Sequence, residues 1–263
     1  MNEWLTDGPE TVSDVEAAFG QLDEHGACII ANALDPEFLK ELRDACYRAA
    51  DSDRRYGLAR DFQYGKDDHV NQRIWNLPSH DPVFCELAEH PLAIEMVTRA
   101  LGWPALLSSM SANITRGGGG SMVIHCDQGH LPAPQQQAWV YNFAWCLDEF
   151  TPTNGATVIL PGSHKLNGVR PDDAALARMQ PMVAPAGSLL VMDGRTYHTN
   201  GENTCGSSRA AVFAVYTLQW LMPQENWFLS INPSIRQFGS ETLQTLFGFR
   251  PGVLGRVNGL DGI

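Results

Sequence analysis

From Ala105 onward the sequence breaks into short runs of β-forming residues, each closed by Gly, Pro or Asn, and this texture restricts the possible folds more than any other feature. Runs of that length pair as an antiparallel sandwich or barrel. The candidate strands are Leu106 to Thr115, Met122 to Cys126, Ala138 to Leu147, Ala156 to Leu160, Ser188 to Met192 and Arg209 to Trp220. The part before them reads as helices. Val12 to Asp23 is one, and Asp35-Pro36 opens another through Leu39, Leu42 and Cys46 to Ala50, with the acid as N-cap and the proline at the first helical position. Ala27 to Ala31 is a short β-type segment between them. Asp81-Pro82 starts a third helix, and His90-Pro91 starts a fourth that stops at Gly102. Helices first and strands after predict a mainly-β core of jelly-roll type with flanking helices. We expect one domain over 1–263: a helical part to about 104, a β core over about 105–222 and a C-terminal tail over 223–263.

Composition narrows the partners. A formal net charge of -12 opposes phosphate backbones and anionic membrane surfaces, so no nucleic acid is expected. Met1 to Asp7 has no basic leader and no run of about 18 apolar residues occurs, which predicts a cytoplasmic chain without a membrane span. The six cysteines, Cys28, Cys46, Cys85, Cys126, Cys146 and Cys205, have no paired spacing and read as free thiols. Gly117 to Gly120 lacks the Lys-Ser/Thr of a phosphate loop and reads as a turn between strands. The polar stretch Ser52 to Asn76 is either a flap over a site or a surface loop.

The chemistry concentrates in Met122-Val-Ile-His125-Cys126-Asp127-Gln128. On an extended strand His125 and Asp127 share one face, so both can point at one ion while Cys126 points away. A lone His-x-Asp is weak evidence. The third leg comes from Gly187 to His198, a strand, a turn at Asp193-Gly194 and a second strand that delivers His198. Eleven residues later Arg209 opens the apolar strand Ala-Ala-Val-Phe-Ala-Val-Tyr, where a buried arginine needs an anionic partner. Two histidines and a carboxylate with open coordination positions suit non-haem iron(II), and the arginine fork suits a dicarboxylate.

These residues resemble the phytanoyl-CoA dioxygenase family. The resemblance rests on His125-Cys-Asp127, on Asn154-Gly-Ala-Thr-Val-Ile-Leu-Pro-Gly-Ser-His164, on His198 with Arg209, and on the helical pattern Asn76-Leu-Pro-Ser-His and His90-Pro91 to Leu101-Gly102; it runs from about Gly26 to Gly248. It implies a double-stranded β-helix of cupin-like type, iron(II) on His125, Asp127 and His198, and 2-oxoglutarate paired with Arg209. Members of the family use dioxygen to decarboxylate 2-oxoglutarate to succinate and carbon dioxide, and so oxidise a C–H bond of the substrate. The expected reaction is hydroxylation, desaturation, epoxidation or cyclisation of a small organic metabolite, in the setting of natural-product biosynthesis. The carboxylate of Asp127 argues against halogenation, because halogenating relatives carry a small residue there.

Some relatives have Gln where Met122 stands and Ser or Thr where Asn200 stands; an amide at Asn200 can still donate to a carboxylate. Thr157, Asn113 and Asn142 either face 2-oxoglutarate or serve the framework. His164 reads as structural and His130 as a loop histidine. Arg73, Trp75, Trp139 and Trp227 are candidates for the pocket mouth, with core packing the competing role for the tryptophans. The competing function is a non-redox metal-binding β-sandwich, or a zinc hydrolase on the same three ligands, and Arg209 is the residue that such a protein would not need. Specificity is expected from Ser52 to Asn76, Gln128 to Gln137 and Pro223 to Ser234. The family also takes acyl-CoA thioesters, but no polybasic patch marks a CoA phosphate site here.

Overall fold

The computed structural model describes residues 4–58, 70–120 and 122–250. In chain order it contains β1 (Thr11–Val12), α1 (Val15–His25), β2 (Ala27–Ile30), α2 (Pro36–Arg55), β3 (Asn71–Ile74), α3 (Leu77–His80), α4 (Val83–Ala88), α5 (Pro91–Leu101), β4 (Ala105–Thr115), β5 (Val140–Cys146) and β6 (Thr157–Ile159). There follow a 3-10 turn (Ser163–Leu166), α6 (Asp173–Leu176), β7 (Gln180–Pro181), β8 (Leu189–Asp193), β9 (His198–Asn200), β10 (Arg209–Leu218), α7 (Trp227–Ser230), α8 (Pro233–Phe238) and α9 (Glu241–Leu246).

Two sheets face one another. The larger has seven strands in the order β1-β2-β8-β5-β10-β4-β3, and the smaller has three in the order β7-β6-β9. This is the double-stranded β-helix, with helices against one face. Side chains along β10 alternate between two environments, as strand periodicity requires. Ala210, Val212, Ala214 and Tyr216 join Ile114, Phe143, Val191 and the apolar faces of α2, α4 and α5 in the outer core. Ala211 and Phe213 turn inward to meet Ala144, Leu190, Met192 and, from the smaller sheet, Ile159. Burial on both faces explains why β4 and β8 are uninterrupted buried runs instead of alternating ones. Each large apolar side chain fully buried there contributes about 1.5–3 kcal/mol.

Local signals set the helix ends. Asp35 accepts hydrogen bonds from the backbone N–H of Glu37 and Phe38 at 3.0 and 2.9 Å, and Pro36 occupies the first turn. α2 continues to Arg55, past the expected end at Ala50, because Ala49, Ala50 and Asp53 keep a buried face. α1 begins at Val15 and not Val12: Asp14 caps it, and Thr11–Val12 instead pairs in parallel with Ile29–Ile30. The stretch Ser52 to Asn76 thus divides into the end of α2, residues 59–69, which lie outside the described part, and β3. From 223 on, α7 and α9 bury Trp227, Leu243 and Leu246 in the outer core.

One expected strand is absent from the described residues. Met122 to Cys126 forms no ladder; its single bridge joins His125 to His198. The four glycines before it do form a turn, and close packing explains them: a Cβ on Gly119 would lie 2.7 Å from the Arg116 carbonyl and 2.8 Å from the Val70 carbonyl. All six cysteines are free, five of them buried and Cys205 exposed. Among the described residues no helix is long and apolar enough to cross a membrane.

Candidate metal centre and its cavity

His125 and His198 are 73 residues apart in sequence, yet they exchange both backbone hydrogen bonds, at 3.0 and 2.8 Å. That reciprocal pair replaces the expected strand and sets their rings 4.4 Å apart, centroid to centroid. Each ring is oriented by its other nitrogen. His125 Nδ1 contacts the Val123 carbonyl at 2.9 Å and His198 Nδ1 the Thr196 carbonyl at 3.0 Å. A carbonyl can only accept, so Nδ1 carries the proton and Nε2 keeps its lone pair for an ion. Asp127 Oδ1 stands 3.6 Å from His125 Nε2 and 3.7 Å from His198 Nε2. The ligand atoms of the three residues all lie within 4.8 Å of one another, a spacing that can hold a metal ion.

The carboxylate itself is held in place. Asn142, on β5, donates from Nδ2 to Asp127 Oδ2 at 2.8 Å, so that Oδ1 is the oxygen that faces the two imidazoles. Burial by itself would favour the neutral acid, but His198, His125 and the Asn142 amide outweigh it and hold Asp127 far below the usual carboxylate range. The backbone beyond Asp127 is stitched down by two buried amides. Gln128 receives the Trp139 N–H at 2.7 Å and donates to the Gln137 carbonyl at 3.1 Å, while Gln135 donates to the Gln128 and Leu131 carbonyls at 2.9 Å. His130 contacts the Asp127 carbonyl at 3.0 Å through Nδ1.

The three residues open onto a cavity of about 790 Å³ between the two sheets. Its described lining includes Asn142, Thr157 and Asn200, but neither Arg209 nor Asn113. Asn113 faces inward from β4 with its amide on Thr115 Oγ1 at 3.4 Å. Asn200 donates to Met122 Sδ at 3.2 Å, so the two positions that depart from some relatives' pattern contact each other. Thr157 pairs with Asn200 across β6 and β9, and its hydroxyl is buried without a hydrogen-bond partner. Arg209 is fully buried beside Phe150, its guanidinium carbon 4.6 Å from the ring centre, and donates from Nη2 to the Gly155 carbonyl. Its Nε and Nη1 have no partner. Burial pulls its pKa down to about 10, so it stays cationic at neutral pH. A buried, incompletely satisfied cation, bonded to the Gly155 carbonyl two residues before the cavity-lining Thr157, is what an anionic co-substrate would complete.

His164 does not join the metal group: Nε2 contacts the Asp23 carbonyl at 3.2 Å, and the ring packs where a Cβ on Gly26, at φ +76°, would lie 2.4 Å from Nδ1. Arg73 and Trp75 line the cavity as expected, whereas Trp139 and Trp227 do not. Trp227 is instead core, with Nε1 donating to the Leu107 carbonyl at 2.6 Å, and Trp139 stacks edge-on against Trp220. Sequence reasoning did not find Gln128 and Gln135, which carry no motif, nor the bond from Asn142 to Asp127, which depends on β5 lying across from the metal segment.

The phytanoyl-CoA dioxygenase family model matches residues 22–211. The chain belongs to the phytanoyl-CoA dioxygenase family. It is an oxygenase that depends on non-haem iron(II), 2-oxoglutarate and dioxygen, and the non-redox and zinc-hydrolase alternatives fall with that membership. Among its relatives, dioxygenase af480 of Aspergillus fumigatus is 34% identical over 238 residues, covering 89% of this chain and 76% of that protein. Dioxygenase ALT11 of Alternaria alternata is 28% identical, covering 92% and 83%. The fold of this oxygenase matches HygX from Streptomyces hygroscopicus, crystallised with nickel and 2-oxoglutarate, at TM-score 0.64 and 14% identity over 80% of this chain and 90% of that one. It matches SnoK, a non-haem α-ketoglutarate-dependent carbocyclase from nogalamycin biosynthesis, at TM-score 0.64 and 19% identity over 80% and 87%.

Proposed function

We propose that the chain works as one oxygenase unit in which His125, Asp127 and His198 hold iron(II), Arg209 binds the distal carboxylate of 2-oxoglutarate, and the cavity admits a small organic metabolite of the natural-product kind. The observation that carries the reading is the convergence of the three ligand atoms within 4.8 Å, with both imidazoles fixed by backbone carbonyls so that their Nε2 atoms face Asp127 Oδ1. When bound, iron(II) with 2-oxoglutarate supplies the oxidising power for C–H oxidation, at the expense of dioxygen and with release of succinate and carbon dioxide. The chain's own work is positional. Asn142 keeps one carboxylate oxygen of Asp127 occupied, and Arg209, Thr157 and Asn200 offer donors to the co-substrate. Phe213, Val215, Leu221 and Met222 give the cavity an apolar wall that aims the substrate and excludes water.

Several fungal relatives are named dioxygenases, and the structural neighbour SnoK is a carbocyclase from nogalamycin biosynthesis; both support a natural-product substrate. A net charge of -12 supports a free metabolite over a nucleic acid, and six free thiols support a reducing cytoplasm.

The test is anaerobic titration with iron(II) and then 2-oxoglutarate, following the weak visible charge-transfer band of the chelate. We expect the band in the wild type, its loss in Asp127→Ala, and at least a tenfold higher 2-oxoglutarate requirement in Arg209→Ala. Bound iron with no band in the wild type would overturn the reading.

A further inference from the structure

Gln128 follows Asp127 directly, is fully buried, and has each of its hydrogen-bonding atoms engaged. Its backbone N–H donates to the Gly194 carbonyl at 2.7 Å, and its backbone carbonyl accepts from the Leu131 N–H at 3.0 Å and from the Gln135 amide at 2.9 Å. Its side-chain amide accepts the Trp139 N–H at 2.7 Å and donates to the Gln137 carbonyl at 3.1 Å. Three segments of the metal centre meet at this one residue. Asp127 immediately precedes it, Gly194 lies in the turn that delivers His198, and Gln137 and Trp139 lead into β5, which carries Asn142. The turn and β5 are also in direct contact: Gly194 donates to the Val140 carbonyl at 2.8 Å, and a Cβ on Gly194 would lie 2.7 Å from that oxygen. Any shift of the segment after Asp127 therefore moves the carboxylate relative both to His198 and to the amide that orients it.

The chemistry of the side chain accounts for the residue type. The Gln137 carbonyl and the Trp139 N–H lie just ahead of Val140, the first residue of β5 in the sheet ladder. A primary amide, acceptor and donor in one neutral planar group, satisfies both as the peptide group of an adjacent strand would. Glutamate keeps the acceptor but sets a second oxygen against the Gln137 carbonyl, and methionine keeps the length with neither function. Gln128 is not among the described residues that line the cavity, so its effect passes through Asp127. We propose that Gln128 is a positioning residue of the iron centre, its side-chain amide joining the Asp127 segment to the strand that bears Asn142 and so setting the carboxylate among the ligand atoms. This inference rests on the metal assignment made above.

The test measures iron(II) affinity under nitrogen by competition with a chelator, and records the 2-oxoglutarate charge-transfer band at saturating iron(II). The proteins are the wild type, Gln128→Met, Gln128→Glu and Gln72→Met. Gln72 is equally buried, on the outer face of β3, and bonds to the Ala50 carbonyl at 2.8 Å and to Arg116 at 3.1 Å, so Gln72→Met controls for the loss of a buried amide as such. Gln128→Met is expected to lose about tenfold or more in iron(II) affinity and to shift the band, and Gln128→Glu to lose about threefold or more. Gln72→Met is expected to unfold at lower denaturant concentration yet keep the wild-type band and an affinity within about twofold of the wild type. Wild-type affinity or an unmoved band in Gln128→Met overturns the proposal. An equal loss of affinity in Gln72→Met overturns it too, by leaving Gln128 a purely structural role. Should Gln128→Met not fold, Gln128→Glu decides alone, wild-type affinity overturning the proposal. A wild type that binds no iron(II) fails the metal assignment itself, and this inference with it, whereas a wild type that binds iron(II) beside indifferent Gln128 variants fails this inference alone.

Discussion

Asn142 shows how a single hydrogen bond can serve the proposed metal centre. Its amide occupies Asp127 Oδ2 and so fixes which carboxylate oxygen faces the two imidazoles. Replacing it with Leu, close in volume but without the donor, leaves all three ligands in place and frees the carboxylate to rotate. Outer partners of this kind are worth about 10–100-fold in metal affinity. We expect Asn142→Leu to lose iron(II) affinity in that range by competitive chelator titration, with the native circular dichroism spectrum retained. Arg209 makes a complementary case: its Nε and Nη1 are buried and unpartnered, and Arg209→Lys keeps the charge but not the fork. The expected outcome for Arg209→Lys is a several-fold rise in the KM for 2-oxoglutarate, measured by succinate release, with a smaller change in kcat.

Elements hold these residues through junctions as well as ladders. The segment that follows β10 lines the cavity through Leu221 to Gln224, and Glu225 then anchors it to β4 by accepting the Met110 N–H at 2.8 Å. Burial raises the Glu225 carboxyl to about 7. Because its folded pKa lies above the unfolded value, its contribution to stability is full below about pH 4.5 and declines as pH rises through 7. Glu225→Gln mimics the protonated form and keeps an acceptor for Met110. It is therefore expected to melt above the wild type at pH 8, by a margin of order 1–3 kcal/mol, and level with it near pH 4.5. A thermal melt at each pH reads this directly. At the other end of the chain, Asp35 caps α2 with two backbone N–H groups, and Asp35→Ala should cost about 1 kcal/mol in denaturant unfolding.

At the scale of the molecule, helices against one sheet face leave the inner face free to close on the smaller sheet and form the cavity. Iron(II) and 2-oxoglutarate should bind only this assembled state, so each is expected to raise the melting temperature, with the 2-oxoglutarate increment absent from Arg209→Ala. Much of this arrangement was legible from sequence alone. The Gly- and Pro-punctuated β runs after Ala105 and the Asp-Pro and His-Pro helix starts are local patterns that local backbone and side-chain preferences are enough to specify, and the His125-x-Asp127…His198…Arg209 series is legible through its resemblance to a family pattern. The rest required long-range pairing. The sequence suggested a strand at Met122 to Cys126, but one reciprocal backbone pair between His125 and His198 does that work. It left Trp227 between the pocket mouth and core packing, and the helices after Met222 carry it into the outer core. Asn142 was a candidate for the co-substrate and instead holds Asp127, because which side chain meets which across two sheets depends on register and closure. Those are properties of contacts between residues far apart in sequence, and residue order along one strand does not contain them.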